Sequence, residues 1–221
     1  MENNSALIEL EEFFGEQNIG SCYDTPLKSD AFDITDEEKI AVITHHFRKI
    51  MDTLGLDLND DSLNGTPARV AKMFVKEAFS GLDPTNKPEI KLFENKYRYN
   101  EMLIEKDITL YSYCEHHFVP IIGKVHVGYI SNGMVIGLSK INRLVQYYAK
   151  RPQVQERLTN QIAEGLKEAL QTDNIAVIID AAHLCVASRG IKDTASSTIT
   201  VYYSGKFKDP STRAAFVELV K

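Results

Sequence analysis

Apolar residues recur at helical spacing in the first half of the chain. After Thr35, whose hydroxyl can form a capping box with the Glu38 carboxylate, they return every three or four positions and stop before Gly55. A second helix is expected from Thr66, a suitable N-cap, with Pro67 at its first helical position. The pattern therefore predicts two helices before the first strand.

Downstream, the period changes from helical spacing to alternation. Apolar and polar side chains alternate from Lys106 up to the segment CEHH and again over 123–130, which predicts two strands joined by a short connection. Two helices separated by Pro152, two further strands and a last helix follow. These later elements are expected near residues 141–148, 154–166, 175–186, 194–204 and 211–220.

Strand pairs separated by a helical hairpin indicate an α+β domain. We expect a four-stranded antiparallel sheet with two antiparallel helices on one face. This domain would occupy residues 106–221, preceded by a helical N-terminal region over 35–105 and an N-terminal extension over 1–34. Such a sheet has two open edges, which oligomerisation would cover.

Composition and charge narrow the classes of function. The 221-residue chain is 43% hydrophobic and 25% charged, which is ordinary for a folded globular protein. No apolar run approaches the roughly 20 residues that span a bilayer, and the acidic start lacks a secretory signal pattern, so we expect a cytoplasmic protein without membrane contact. A net charge of −6 argues against nucleic-acid binding, because phosphate backbones are held by basic surfaces.

The three cysteines are candidates for metal ligands or inert thiols, since a reducing compartment disfavours disulfides. Cys22, in the N-terminal extension, is predicted to be a plain free thiol. The motif CEHH at 114–117 places a thiolate three residues from an imidazole, within reach of one metal ion. By itself this motif is equally compatible with a buried thiol beside two incidental histidines.

The segment His183-Leu184-Cys185 strengthens the metal hypothesis. Residues two apart on a strand point to the same face, so His183 and Cys185 are expected to project together. Two thiolates and one imidazole form a zinc set with an open fourth position, which is typical of catalytic sites that activate water. Histidines left over from this set could transfer protons or merely pack.

Cations lie in the first turns of two predicted helices, where the helix dipole favours anions. Lys140 and Arg143 follow Ser139, a plausible N-cap, and Arg69 lies in the first turn of the other helix. Each cation alone is most simply a solvated surface charge. Together with Arg189 they favour a polyphosphate ligand.

The pair Gln155-Glu156 begins the second helix of the hairpin. Its simple interpretation is that an acidic residue suits a helix start. A carboxylate buried there could instead accept both the N1–H and the exocyclic N2–H of guanine, a donor pair that adenine lacks. The residues thus allow a guanine nucleotide as the phosphorylated ligand.

Three segments resemble the core motifs of the GTP cyclohydrolase I family in order and spacing. They are YCEHHFVPIIGKVHVGYI, VIGLSKINRLVQYYAKRPQVQERLTNQI and DAAHLCVASRGIKD, and TPARVAKMF and GKFKDPSTRAAF match in addition. The resemblance covers about residues 36–218. It implies the tunnelling fold, a decameric ring with active sites between subunits, and conversion of GTP and water to formate and 7,8-dihydroneopterin triphosphate for folate or biopterin synthesis.

The same resemblance implies a role for each matching residue. The Zn²⁺ ligands would be Cys114, His117 and Cys185. His116 would protonate the imidazole ring of the purine, while His183 and Ser139 would assist later proton transfers around the ribose. The triphosphate would be held by Arg69, Lys140, Arg143 and Arg189, and the guanine by Glu156 with help from Gln155.

Two other functions are alternatives to GTP cyclohydrolase activity. A different enzyme of the same fold, such as a pterin aldolase or the nitrile reductase of queuosine synthesis, does not need a Cys/His/Cys zinc set beside a triphosphate cluster. A non-catalytic GTP-binding regulatory oligomer with a structural zinc does not need an open fourth ligand position. Zinc content and GTP turnover separate the three.

Overall fold

The computed structural model describes residues 25–221, and Cys22 lies outside the described residues. Helix α1 spans Asp36–Thr53 and begins with the predicted capping box. Thr35 Oγ1 accepts a hydrogen bond from the Glu38 backbone at 3.2 Å, and the Glu38 carboxylate accepts one from the Thr35 backbone at 2.7 Å. After the helix the chain turns left-handed at Gly55, with φ of 79°.

Helix α2 spans Thr66–Met73, with Gly65 as its N-cap. The prediction that Thr66 caps this helix is wrong by one residue, because the Thr66 hydroxyl accepts a hydrogen bond from Arg69 Nη2 at 3.1 Å instead. One turn of π-helix, Phe74–Ala78, and two short 3₁₀ turns follow. The first 3₁₀ turn, Ser80–Leu82, contacts a later part of the chain, where the Gly81 backbone donates to the Lys150 carbonyl at 2.8 Å.

Within residues 25–221, seven strands form two sheets. In chain order they are β1 (Leu92–Glu94), β2 (Met102–Cys114), β3 (Pro120–Ile130), β4 (Met134–Ile136), β5 (Pro152–Gln153), β6 (Ile175–His183) and β7 (Thr198–Tyr203). The main sheet has the order β5-β2-β3-β6-β7, and β1 pairs with β4 in a small second sheet. The four long strands pair antiparallel, whereas the two-residue β5 runs parallel to the end of β2.

Two helices cover one face of the main sheet. The remaining helices are α3 (Leu138–Ala149), α4 (Gln155–Leu170), α5 (Leu184–Ala187) and α6 (Pro210–Val220). Side chains of α3 and α4 such as Leu144 and Ile162 are fully buried with Val125 and Val127 of the sheet in one core. Burying each such side chain contributes roughly 1.5–3 kcal/mol. The predicted α+β architecture is thus confirmed. The short strand β5 adds a fifth strand to the predicted four-stranded sheet.

The other face of the sheet carries apolar side chains that remain exposed in the single chain. Tyr111, Ile122, Ile199 and Val201 are 58%, 39%, 62% and 52% exposed. Their neighbours in sequence point the opposite way, as Leu110 and Ile121 are fully buried under the helices. Among the described residues, no helix is long and apolar enough to cross a membrane.

Candidate metal centre

Cys114, His117 and Cys185 converge at one end of the main sheet. Their candidate ligand atoms all lie within 4.8 Å of one another. Two atoms bound at 2.3 Å to one ion can be at most roughly 4.6 Å apart, so the observed spacing is close to that of a shared metal. Cys114 is buried, Cys185 is half-buried and His117 is exposed, which leaves the imidazole side open to solvent. These three residues could therefore hold a metal ion.

A tight turn after β2 brings His117 back towards Cys114. The Phe118 backbone N–H donates to the Cys114 carbonyl at 2.9 Å, and the Cys114 N–H donates to the Val119 carbonyl at 2.9 Å. Phe118 adopts a left-handed conformation with φ of 53°, which an L-residue adopts only when its surroundings hold it there. We call residues 114–118 the metal turn.

Aromatic rings hold the metal turn against the helical region. The ring centroid of Phe118 lies 5.0 Å from that of Phe79 and 6.1 Å from that of Phe74. Phe79 also lies 5.5 Å from Tyr113 of β2, with the rings edge to face. Each such pair contributes about 0.5–1.5 kcal/mol beyond the area it buries. The position of His117 therefore depends on packing with residues some 40 positions upstream.

Cys185 reaches the centre by a different route from the one predicted. A strand over 175–186 is wrong, because β6 ends at His183 and α5 begins at Leu184. Cys185 and His183 consequently do not share a strand face, and a single helical turn directs Cys185 to Cys114. Burial raises the pKa of the Cys185 thiol, and the nearby Cys114 thiol adds to this rise. A cation bound between the two sulfurs would favour the thiolates instead.

His116 lies beside the ligand group and faces solvent. Its Nδ1 is 3.7 Å from the Cys114 sulfur, and its Nε2 is 3.8 Å from a carboxylate oxygen of Glu115. The side chain is 65% exposed. The structure thus places His116 where a bound molecule could contact its ring.

An ion pair that sequence patterns did not indicate anchors the metal turn. Arg157 of α4 donates to both carboxylate oxygens of Glu115, at 2.6 and 3.3 Å. The Glu115 backbone N–H also donates to the Gln153 carbonyl at 3.0 Å. Because the side chains of Arg157 and Glu115 are only 15% and 25% exposed, this bidentate pair is better shielded from water than a surface pair. It ties the turn to the start of α4.

His183 and Gln155 form a hydrogen-bonded pair behind the centre. His183 Nε2 lies 2.8 Å from Gln155 Oε1. Burial lowers the pKa of His183, and the charge of Glu156 partly opposes that effect. Gln155 is only 1% exposed, whereas Glu156 is exposed at the start of α4. Of the two neighbours Gln155 and Glu156, Glu156 is therefore the residue whose side chain can reach a ligand.

Arg189 is the predicted triphosphate residue that the single chain brings to the centre. Its Nη1 lies 2.9 Å from His117 Nε2, and its side chain is exposed. A guanidinium cannot accept, so Arg189 donates and the imidazole nitrogen accepts. The positive charge of Arg189 therefore lies directly beside the candidate metal ligands.

Lys140 lies at the opposite end of α3, and Arg143 lies about one turn further along, near the middle of that helix. The C-terminal end of that helix is near the centre, since Ser112 of β2 donates to the Ala149 carbonyl at 2.7 Å. Lys140 is more than two turns away, roughly 13 Å along the axis at about 1.5 Å per residue, and donates to the Glu89 carbonyl at 2.6 Å. One chain alone does not place these two cations beside its own thiols.

Two further predicted residues, Ser139 and Arg69, are exposed in the first turns of helices. Ser139 is exposed and does not cap α3, which begins one residue earlier with Gly137 as its N-cap, so that prediction is wrong. Arg69 is exposed in α2, where its Nη2 donates to the Ser62 carbonyl at 3.1 Å and to Thr66 Oγ1. Both residues are accessible to a molecule that approaches from outside the chain.

Comparisons with known proteins identify the family of this chain. The family model of GTP cyclohydrolase I matches residues 43–221. A protein from Flavobacterium johnsoniae named GTP cyclohydrolase 1 is 58% identical over 218 residues, covering 97% of this chain and 98% of its own. A protein of the same name from Vibrio parahaemolyticus is 53% identical, covering 88% of this chain and 89% of its own. Another from Citrobacter koseri is 52% identical, covering 98% of this chain and 98% of its own. The chain therefore belongs to the GTP cyclohydrolase I family.

Proposed function

We propose that this protein is a zinc-dependent GTP cyclohydrolase, which converts GTP and water to 7,8-dihydroneopterin triphosphate and formate. Family membership and the names of its relatives support the reaction. The observation that carries zinc dependence is the convergence of two thiols and one imidazole within 4.8 Å. The product would enter folate or biopterin synthesis.

The donor set fits zinc better than other common metals. Thiolates with imidazole favour Zn²⁺, whereas magnesium and calcium prefer oxygen donors. When bound, the ion would act as a Lewis acid and polarise a water molecule in the position that the three protein ligands leave open. Such free thiols need a reducing compartment, which supports the cytoplasm as the place of action.

Arg189 is proposed to bind the triphosphate. A neutral imidazole that binds a metal through one nitrogen carries its proton on the other, so it cannot also accept a hydrogen bond from Arg189. Coordination by His117 therefore requires the Arg189 guanidinium to turn away from it. The guanidinium is then available for phosphate oxygens, which it can bind through two donors at once.

Two histidines are proposed to move protons. His116 is exposed beside Cys114 and would donate a proton to the imidazole ring of the purine as C8 is hydrated. Hydrolysis of two C–N bonds takes up two water molecules and releases C8 as formate, and the freed amine then closes onto the rearranged ribose with loss of one water molecule. His183, with Ser139, would serve the proton transfers around the ribose.

Glu156 is proposed to select guanine. Its carboxylate is exposed at the start of α4, close enough to His183 to affect the pKa of that imidazole. A carboxylate can accept from N1–H and N2–H of guanine together, and a base without these donors leaves it unpaired. Inosine triphosphate lacks the N2 amine and would be a poorer substrate.

We infer that each active site is completed by a neighbouring subunit. Lys140 and Ser139 lie at the end of α3 that is far from the thiols of their own chain, with Arg143 about one turn further along, so they can serve the thiols of another. The exposed apolar residues on the open face of the sheet also favour burial against other subunits. The decameric ring implied by the family motifs would supply both contacts.

The proposal is tested by incubating zinc-loaded protein with GTP and measuring formate together with pterin fluorescence after oxidation. The expected result is equal release of formate and pterin. A pterin aldolase, a nitrile reductase or a regulatory GTP-binding oligomer would release neither, so the absence of both from zinc-loaded protein would refute the assignment.

A further inference from the structure

The side-chain amide of Gln155 is enclosed between α4, β6 and β7. Its Nε2 donates to the Thr198 carbonyl at 2.8 Å, to the Ile179 carbonyl at 3.2 Å and to Thr200 Oγ1 at 3.1 Å. Its Oε1 lies 2.8 Å from His183 Nε2. All polar atoms of this buried amide are thus used within the protein.

The surroundings decide which way this amide faces. Carbonyl oxygens only accept hydrogen bonds, so the NH₂ group must face Thr198 and Ile179. The flipped amide would direct its own oxygen at two carbonyl oxygens, and both carbonyls would lose the donor that Gln155 supplies. The oxygen of Gln155 therefore faces His183.

A second chain of hydrogen bonds fixes the same orientation. The Thr159 hydroxyl donates to the backbone carbonyl of Gln155 at 2.8 Å and lies 2.6 Å from the Thr200 hydroxyl. Because the Thr159 proton is used, Thr200 must donate to Thr159. Thr200 Oγ1 is then left as an acceptor for the Gln155 NH₂ group. This contact requires the same orientation of the amide as the carbonyls of Thr198 and Ile179 do.

An acceptor-only oxygen facing His183 decides where that ring carries its proton. A hydrogen bond of 2.8 Å to Gln155 Oε1 requires a proton on His183 Nε2. In the neutral ring the lone pair then lies on Nδ1. Within residues 25–221, Nδ1 of His183 has no hydrogen-bond partner of its own.

We propose that Gln155 is a positioning residue, whose buried amide fixes the His183 ring in one orientation and in the Nε2–H tautomer. This inference rests on the proposed function, in which His183 serves the ribose rearrangement. The buried amide thus orients the ring from behind, without touching GTP itself.

This role differs measurably from contact with guanine. A residue that binds guanine in both the ground state and the transition state would, when removed, raise KM for GTP and leave kcat largely unchanged. A residue that orients a catalytic imidazole would lower kcat and leave KM largely unchanged. The burial of Gln155 at 1% exposure favours the second behaviour.

The test is steady-state turnover of GTP by zinc-loaded Gln155→Met, which keeps the length of the side chain but removes its hydrogen bonds. The expected result is a kcat lower by roughly 10- to 100-fold, the range found when groups that orient an imidazole are removed, with KM for GTP little changed. Gln161→Met is the matched control, since Gln161 is another buried glutamine of α4, and its kcat should stay near that of the wild type.

A double variant shows whether Gln155 acts through His183. In the His183→Ala background, Gln155→Met should produce no further loss of kcat, because the ring that the amide orients is gone. A further loss equal to that in the wild-type background, or a raised KM with unchanged kcat in Gln155→Met, would overturn the proposal.

The tautomer can be observed directly in wild-type holoprotein, which keeps the inference testable if Gln155→Met does not fold. In ¹⁵N-histidine-labelled protein, the His183 signals are assigned by their loss in His183→Ala. A proton on Nε2 is the expected result, and a proton on Nδ1 alone overturns the proposal. This readout does not depend on turnover, so it separates failure of the inference from failure of the proposed function.

Discussion

The substitution Phe118→Leu tests whether ring packing holds the metal turn in place. Leucine keeps an apolar side chain but removes the aromatic contacts with Phe79 and Phe74, at 5.0 and 6.1 Å. Two such pairs contribute about 1–3 kcal/mol in total. If that stabilisation serves to hold His117 beside the thiols, zinc affinity should fall by about 5- to 150-fold.

Zinc affinity is measured by competition with a chromogenic chelator. The matched control is Phe216→Leu, which removes the aromatic pair of Phe216 with Phe207, 5.6 Å apart in a separate core cluster. This control should lower thermal stability and leave zinc affinity unchanged. Equal zinc affinities for Phe118→Leu and the wild type, or equal losses in both variants, would refute the reasoning.

Three further predictions concern the substrate. Arg189→Ala should raise KM for GTP at least tenfold with zinc content retained, because a charge-assisted contact to phosphate is lost; an unchanged KM would remove Arg189 from the triphosphate site. Glu156→Gln should abolish the preference for GTP over inosine triphosphate, measured as the ratio of kcat/KM values, and a preserved ratio would mean that Glu156 does not read the N2 amine. Mixed oligomers assembled from inactive Cys185→Ser and inactive Arg143→Ala subunits should regain activity, because some sites then combine intact thiols with an intact cation; the absence of any recovery would contradict sites shared between subunits.

The sequence predicts most of the fold because local patterns match what the tertiary structure requires. Thr35 and Glu38 form their capping box without help from the rest of the chain. Strand β2 alternates because one face packs on α3 and the other does not, so Leu110 is buried and Tyr111 exposed. In such places local propensity and burial agree.

The predictions fail where long-range packing overrides a local pattern. Thr66 and Ser139 both have good capping side chains, yet the N-caps are Gly65 and Gly137, one and two residues earlier, and neither hydroxyl caps its helix. The apolar run after Ile175 continues past the true end of β6, since the chain must leave the sheet to bring Cys185 beside Cys114. Apolar alternation cannot show where a strand gives way to a helical turn.

The residues of the candidate site can likewise be predicted only in part from the sequence. The thiols and imidazoles are visible because their residue types are rare and their spacing suits a metal. The pair of Glu115 and Arg157 is not, because the two residues are 42 positions apart and opposite charges are common at any such separation. The inward orientation of Gln155 depends on acceptors from Thr198 and Ile179, which only the folded sheet places around it.

The central claim is that zinc held by Cys114, His117 and Cys185 is required for conversion of GTP. Its most direct test is to remove the metal with a chelator, return Zn²⁺ in steps, and measure bound zinc and formate release on the same samples. Formate release should rise in proportion to bound zinc and reach its maximum at one zinc per chain, while Cys185→Ser should bind zinc weakly and release no formate. Full activity in metal-free protein, or unchanged activity in Cys185→Ser, would contradict the account.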